Sequence, residues 1–381
     1  MTGETLPHWD LSNVYPGLES QEFANASSQI KTELEELDQY LAANQIARGG
    51  PAPEEPVALA EIIAGYLDRM NAILRLGATL RAYVTSFVAT DSFNNSARKT
   101  MSELEPLLVQ IQRQEVQFRG WIGTVAEQAE LFQATLALEG TVKEHQFIVT
   151  ETAEQSRYLM SEAEEGLAAE LSLSGIRAWG KLQGVVTSQL KVPFEREGKV
   201  EELPMTVLQN LRTDAGEDVR RRAHEAELAA WESVREPLAA CMNGVKGSVV
   251  TLNKRRGRTD ALHLPIDQAR IDRDTLEAML GAMHDSFPMF RRYFHAKARL
   301  LGKETLAWWD LYAPVGKSEK RYTYGEARDF ILANFHTFSD RLVSFTQRAF
   351  DRNWIDAEPR SGKRGGAFCM DVPAVDESRI L

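Results

Sequence analysis

The chain has 381 residues and a formal net charge of −11, with 43% apolar and 26% charged residues. That length is too great for one compact core, so two domains or one elongated helical body are expected of an otherwise ordinary soluble composition. The acidic balance argues against duplex nucleic acid or an anionic membrane surface as a partner, since either calls for a basic face.

The first residues, Met1-Thr2-Gly3-Glu4-Thr5-Leu6-Pro7, lack the basic start and apolar core of a signal peptide. Helical periodicity then takes over. Ile30, Leu34, Leu37 and Leu41 step by four, three and four, which puts them on one helix face. A loop rich in Gly and Pro covers 49–56, and a second apolar-periodic stretch runs over 57–88. A third carries Met101, Leu104, Leu108, Ile111, Phe118 and Ile122, with Pro106 expected to kink it or to start a new helix. Ser161 and Glu164 have the spacing of a capping box, opening a helix to about Leu171. A turn and another helix holding Ile176, Trp179 and Leu182 follow.

Residues 189–206 read differently. Leu190-Lys191-Val192-Pro193-Phe194 alternates, Glu197-Gly198 offers a turn, and Lys199-Val200 resumes. These features predict a short hairpin, with Pro193 restricting it to an edge. The domain boundary is placed here, giving 1–188 and 189–381. Beyond it, Asp214 and Glu217 suit a helix N-terminus. Leu238, Cys241, Val245, Val249 and Leu252 form a stripe past Pro237, ended by Lys254-Arg255-Arg256-Gly257. Further helices fit 274–283, 288–301, 324–335 and 340–354, with Gly302 closing the second. The predicted class is mainly α: an elongated multi-helix body with a short β-hairpin near the boundary and a C-terminal strand.

The residues supply no complete active site. A zinc protease needs two imidazoles one turn apart on a helix with a carboxylate between them. Of His8, His145, His224, His263, His284, His295 and His336, only His224-Glu225 begins that pattern, and its fifth position is Leu228. His224 is therefore read as a helix-surface residue among Arg220, Arg221, Arg222 and Glu227. His284 and His295 would lie about 16 Å apart on a continuous helix, too far for one metal ion, and are read as ordinary partly buried histidines. Gly362-Lys363-Arg364-Gly365-Gly366 lacks the Lys-Ser/Thr ending of a phosphate loop, and Ala367-Phe368-Cys369-Met370 after it reads as a strand. Cys241 and Cys369 have no ligand or redox spacing and suit a reducing compartment. No run of about 18 apolar residues is present, and a cytoplasmic location is expected.

Four segments in order resemble the oligoendopeptidase F family of thimet-oligopeptidase-like zinc peptidases. They are Trp9-Asp10-Leu11-Ser12-Asn13-Val14-Tyr15-Pro16, Leu171-Ser172-Leu173-Ser174-Gly175-Ile176-Arg177-Ala178-Trp179, Trp309-Asp310-Leu311-Tyr312-Ala313-Pro314, and Trp354-Ile355-Asp356 followed by Lys363-Arg364-Gly365-Gly366-Ala367-Phe368-Cys369. The resemblance implies an N-terminal helical domain and the first part of a catalytic domain. It implies short peptides as substrates, cleaved through a zinc-activated water in the full-length family. The family's His-Glu-x-x-His and later ligands follow the last of these segments and have no counterpart here, so no catalytic or metal residue is assigned and this chain alone is expected to be inactive and to bind no zinc. One substrate contact is implied, at Gly365, Gly366, Ala367 and Phe368, where an extended peptide would pair with a strand edge. A glycine turn leading into a buried strand stands equally open. The other reading of the whole chain is a helical peptide-binding scaffold or pseudo-enzyme, completed by a second chain. Either way, an uncovered apolar face that promotes association is expected.

Overall fold

The computed structural model describes residues 5–196, 198–316, 320 and 322–381. Residues 1–4 of the expected leaderless start and Glu197 of the expected turn lie outside the described residues. The chain divides into two units. One comprises Trp9–Trp179, Arg255–Gly257 and Phe368–Leu381, and the other Met1–His8, Gly180–Lys254 and Arg258–Ala367.

The first unit is built on three long helices, α1 (Gln21–Ala43), α2 (Pro56–Thr90) and α3 (Asn95–Ala126), packed on one another. Ser20 and Asn94 cap the first and third, each accepting from a backbone amide three residues on. Ile30, Leu34, Leu37 and Leu41 are all buried, as their spacing predicts, and meet Leu59, Ile63, Tyr83, Trp121 and Ile122 in one core. Each such side chain contributes about 2 kcal/mol through the apolar surface it removes from water. Tyr66 stacks on Phe118 with ring centres 3.7 Å apart. Pro56 belongs to α2 rather than to the loop before it; at the first turn its missing N–H costs nothing. Pro106 neither ends nor restarts α3, which runs through it. Shorter helices follow: α4 (Ala129–Leu136), α5 (Thr141–Glu144), α6 (Gln146–Gln155) and α7 (Glu162–Leu171); α8 (Ile176–Gln189) begins here and has most of its residues in the second unit. The Ser161–Glu164 capping box that opens α7 is formed in both directions. Glu165 on α7 is buried and bidentate with Arg256, at 2.9 and 2.6 Å.

The second unit contains the hairpin, β1 (Lys191–Arg196) and β2 (Lys199–Pro204), antiparallel with Val192 opposite Leu203 and Phe194 opposite Glu201. Val192, Phe194 and Leu203 are buried, whereas Lys191, Pro193 and Glu195 are not, so the alternation is that of a one-sided strand pair. Gly198 has φ +77°. Helices α9 (Met205–Asn210) and α10 (Glu217–Ser233) close a small core around Met205, Leu208, Leu211 and Ala223. The cap of α10 is Gly216, not Asp214; Asp214 instead accepts from the Gly216 amide at 2.8 Å and shapes the entry turn. Helix α11 (Arg235–Arg255) buries Cys241 and half-buries the rest of its stripe, then stops at Gly257, whose φ of +69° only glycine adopts without strain. After α12 (His263–Ala269) comes α13 (Arg273–Leu300), one continuous helix through Pro288 where two were expected. It buries only Lys297 and Ala298. Helices α14 (Tyr324–His336) and α15 (Asp340–Asp351) complete the unit.

The chain then returns to the first unit as β3 (Cys369–Val372) and β4 (Glu377–Ile380), an antiparallel pair. The turn between them rests on α2, where the Ala374 amide donates to Thr79 Oγ1 at 3.1 Å. Among the described residues, no helix is long and apolar enough to cross a membrane.

Candidate functional site

The segment leading to the predicted peptide contact is held by a buried carboxylate. Trp354, fully buried after α15, receives the Arg348 guanidinium over its ring at 5.3 Å. Two residues on, Asp356 is buried and accepts from Arg360 at 2.8 and 3.0 Å and from Lys363 at 2.7 Å. Lys363 also donates to the carbonyls of Asp356 and Glu358. Burial alone would raise the Asp356 carboxyl, but hydrogen bonds from Arg360 and Lys363 outweigh it and hold the group below the ordinary carboxylate range. The loop is thereby a closed clasp, and Pro7 joins it by accepting from the Ala357 amide at 2.9 Å.

Gly365, Gly366 and Ala367 are exposed and Phe368 is half-buried. A Cβ on Gly365 would stand 3.3 Å from Thr206 Cγ2, and Gly366 has φ +86°, a left-handed conformation. These residues form a bend and an irregular approach. The predicted strand begins only at Cys369, because the glycine pair spends its freedom on turning the chain. Phe368 carbonyl accepts from the Leu381 amide at 3.0 Å, and its ring meets Trp9 edge-on at 6.3 Å. With this register, residues 368, 370 and 372 bond towards β4, while the backbone groups of Cys369 and Asp371 point to the opposite edge. The strand therefore begins two residues later than the Ala367 start that the sequence suggested.

No catalytic or metal residue was assigned from sequence, and the described residues do not form a fit for zinc: none of their His, Cys, Asp and Glu side chains gather in threes or more with metal-binding geometry. His284 and His295 are exposed on α13, not partly buried. His224 is half-buried beside the Trp309 ring, 6.0 Å between centres, rather than fully on the surface. His145 stays with Thr141 and Asn71, and His8 with Glu358. Cys241 is a buried free thiol and Cys369 an exposed one.

Sequence reasoning missed a buried ion pair. Arg220 on α10 reaches Asp310, in the Trp-Asp-Leu-Tyr segment of the family resemblance, and Lys303 and Glu217 extend the network. The only advance signal was the position of Asp310 inside that segment.

Residues 210–379 match the sequence model of peptidase family M3. The chain is 24% identical over 217 residues to group B oligopeptidase PepB of Streptococcus agalactiae serotype III (strain NEM316), covering 55% of this chain and 35% of that protein. It is 20% identical over 245 residues to oligopeptidase PepF of Bacillus subtilis (strain 168), covering 64% and 36%. Its fold is similar to that of oligoendopeptidase-F from Enterococcus faecium, with TM-score 0.67, 15% identity, and coverage of 88% of this chain and 65% of that one. The matches thus span about a third of the length of these curated relatives. The match over residues 210–379, the relatives and the helical fold together support the resemblance to the oligoendopeptidase F family within peptidase family M3.

Proposed function

We propose that these residues form the helical body, 1–188, and the opening part of the catalytic region, 189–381, of a cytoplasmic zinc-dependent oligopeptidase that cleaves short peptides. The observation that carries the reading is the match of residues 210–379 to peptidase family M3, alongside relatives named as oligopeptidases. In this reading the zinc ligands are not among these 381 residues, and the chain alone is inactive. Peptide contact runs along Gly365, Gly366, Ala367 and Phe368 and continues onto the outward backbone groups of Cys369 and Asp371, where an extended substrate adds as a strand.

Two measurements test this. The purified chain is incubated with an internally quenched peptide and added zinc, with and without a chelator. No turnover above buffer is expected, and chelator-sensitive turnover overturns the inactivity. The coding DNA after codon 381 is then read. An in-frame His-Glu-x-x-His supports one continuous peptidase, and its absence there sinks that reading.

A further inference from the structure

The turn that opens α12 lines up a hydroxyl, an imidazole and a carboxylate. Thr259 Oγ1 lies 3.1 Å from His263 Nδ1, and His263 Nε2 lies 3.7 Å from Asp267 Oδ2. Steps of four residues build this from one turn of chain and one turn of helix, so no distant segment is needed. The Thr259 amide also donates to His263 Nδ1, at 3.2 Å. An amide can only donate, so Nδ1 carries the lone pair, and the proton of the neutral ring sits on Nε2, facing Asp267. The Thr259 hydroxyl therefore donates to Nδ1 as well. Helix capping does not account for this contact. Asp260 Oδ1 already accepts from the Leu262 and His263 amides at 2.8 and 2.9 Å, and Arg273 holds Asp260 Oδ2 at 2.6 Å.

This is the arrangement of an activated nucleophile: a hydroxyl within reach of a base, and the base oriented by a third group. Exposure follows the roles. Thr259 is open to water, while the side chains of His263 and Asp267 are 18% and 25% exposed. Arg258, which binds Asp267 Oδ2, is 6% exposed and fixes the carboxylate. An imidazolium formed by taking the Thr259 proton faces Asp267, and Arg258 shares that carboxylate and tempers its pull on the ring. What these residues supply is proton removal, about 10²–10⁴-fold in rate. That suits an ester with a good leaving group. A peptide bond also needs its developing oxyanion stabilised, usually the larger contribution.

We propose that Thr259 is a nucleophile, activated by His263, that takes an acyl group from activated esters. Thr259 Oγ1 bonds to the acyl carbon as its proton passes to His263 Nδ1. The bond to the leaving oxygen breaks, and that oxygen departs with the electron pair and takes up the imidazolium proton. Water then hydrolyses the Thr259 ester, with His263 again accepting a proton. The proposal does not depend on the peptidase reading, and the step needs no metal ion. The full chain is treated with 4-nitrophenyl acetate, quenched in acid and cut with trypsin. Cleavage after Arg258 and Arg270 releases residues 259–270, in which Thr259 carries the only hydroxyl and no lysine occurs. An acetyl group on this peptide is expected. Thr259→Val removes it and Thr259→Ser keeps it. His263→Gln still offers the Thr259 amide an acceptor but takes no proton, and is expected to slow the labelling about a hundredfold with unchanged circular dichroism. No acetyl on residues 259–270, an acetyl that survives Thr259→Val, or labelling indifferent to His263→Gln each overturns the proposal.

Discussion

Arg220 and Asp310, ninety residues apart, meet in the second unit with Arg220 Nη2 2.7 Å and Nε 3.2 Å from Asp310 Oδ1. Both are buried, Asp310 completely. The Nη1 of the same guanidinium donates to the carbonyls of Asp214 and Ala215, the turn that starts α10. One side chain thus ties the entry of α10 to the Trp308–Asp310 turn, while Lys303 binds the other Asp310 oxygen. Asp310→Ala removes one partner and leaves a buried arginine without its counter-charge. The expected cost is about 3–5 kcal/mol, read as a lower urea midpoint at pH 7. Asp310→Asn keeps an acceptor and is expected to lose less.

The same carboxylate and Asp356 set an acid limit. Burial would raise both, but Lys303 and Arg220 at Asp310, and Arg360 and Lys363 at Asp356, hold both below the ordinary carboxylate range. A group whose pKa is depressed on folding contributes stability that is complete above its unfolded value and is lost as pH falls through the folded one. The second unit is therefore expected to hold its stability down to about pH 5 and to lose it below about pH 4. The check is urea unfolding from pH 7 to pH 3. The Asp310→Asn, Asp356→Asn variant should start lower at pH 7 and decline less over the acid range. An unchanged acid slope in that variant would refute the assignment.

Ser161 marks a place where local chemistry decides. Its Oγ accepts from the Glu164 amide at 3.3 Å, and the Glu164 carboxylate accepts from the Ser161 amide at 3.2 Å. Ser161→Ala is expected to cost about 1 kcal/mol, measured by thermal or urea unfolding of the first unit. Ser161→Asp, which keeps an N-cap acceptor, should recover most of it.

Features set by neighbours in sequence were legible, and features set by distant partners were not. The capping box needs only residues 161–164, and the buried face of α1 only a 3.6-residue period, so both could be read directly. The hairpin announced itself by alternation over 190–194. Pro288 misled, because a missing donor was weighed as a helix boundary, and of the two readings open at Pro106 the fresh helix start is absent. The many residues on either side of Pro106 and Pro288 keep their helical bonds, which outweighs one lost amide. The strand was read from Ala367 and begins at Cys369, and of the two readings left open at Gly365–Phe368 the glycine turn is present, at Gly366. Arg220 looked like one of three surface arginines; nothing within ninety residues signalled its partner.

Arg379 closes the first unit through the same kind of distant pairing. Its guanidinium is fully buried and donates to Glu377 Oε2 at 3.1 Å, to Ser378 O at 3.0 Å, and to Asp10 O and Asn13 Oδ1 at 2.9 Å each. Asn13 Nδ2 returns a bond to Glu377 Oε2 at 2.8 Å, and Trp9 Nε1 donates to Ile380 O at 2.9 Å. Strand β4 is thus locked to residues 9–13 by a planar fork that reaches two carbonyls and two side chains at once. Lysine offers a single point donor and cannot reproduce that fork. Arg379→Lys is expected to lose at least about 1–2 kcal/mol, one or two charge-assisted hydrogen bonds. Arg379→Ala should lose about 3–5 kcal/mol, since the buried Glu377 carboxylate then loses the Arg379 guanidinium. Hydrogen exchange separates a local from a global effect. If the clasp acts as described, the amides of β3 and β4 lose protection in Arg379→Lys before those of α1 and α3 do. Equal loss across the unit would show that the clasp carries no separable share of its stability.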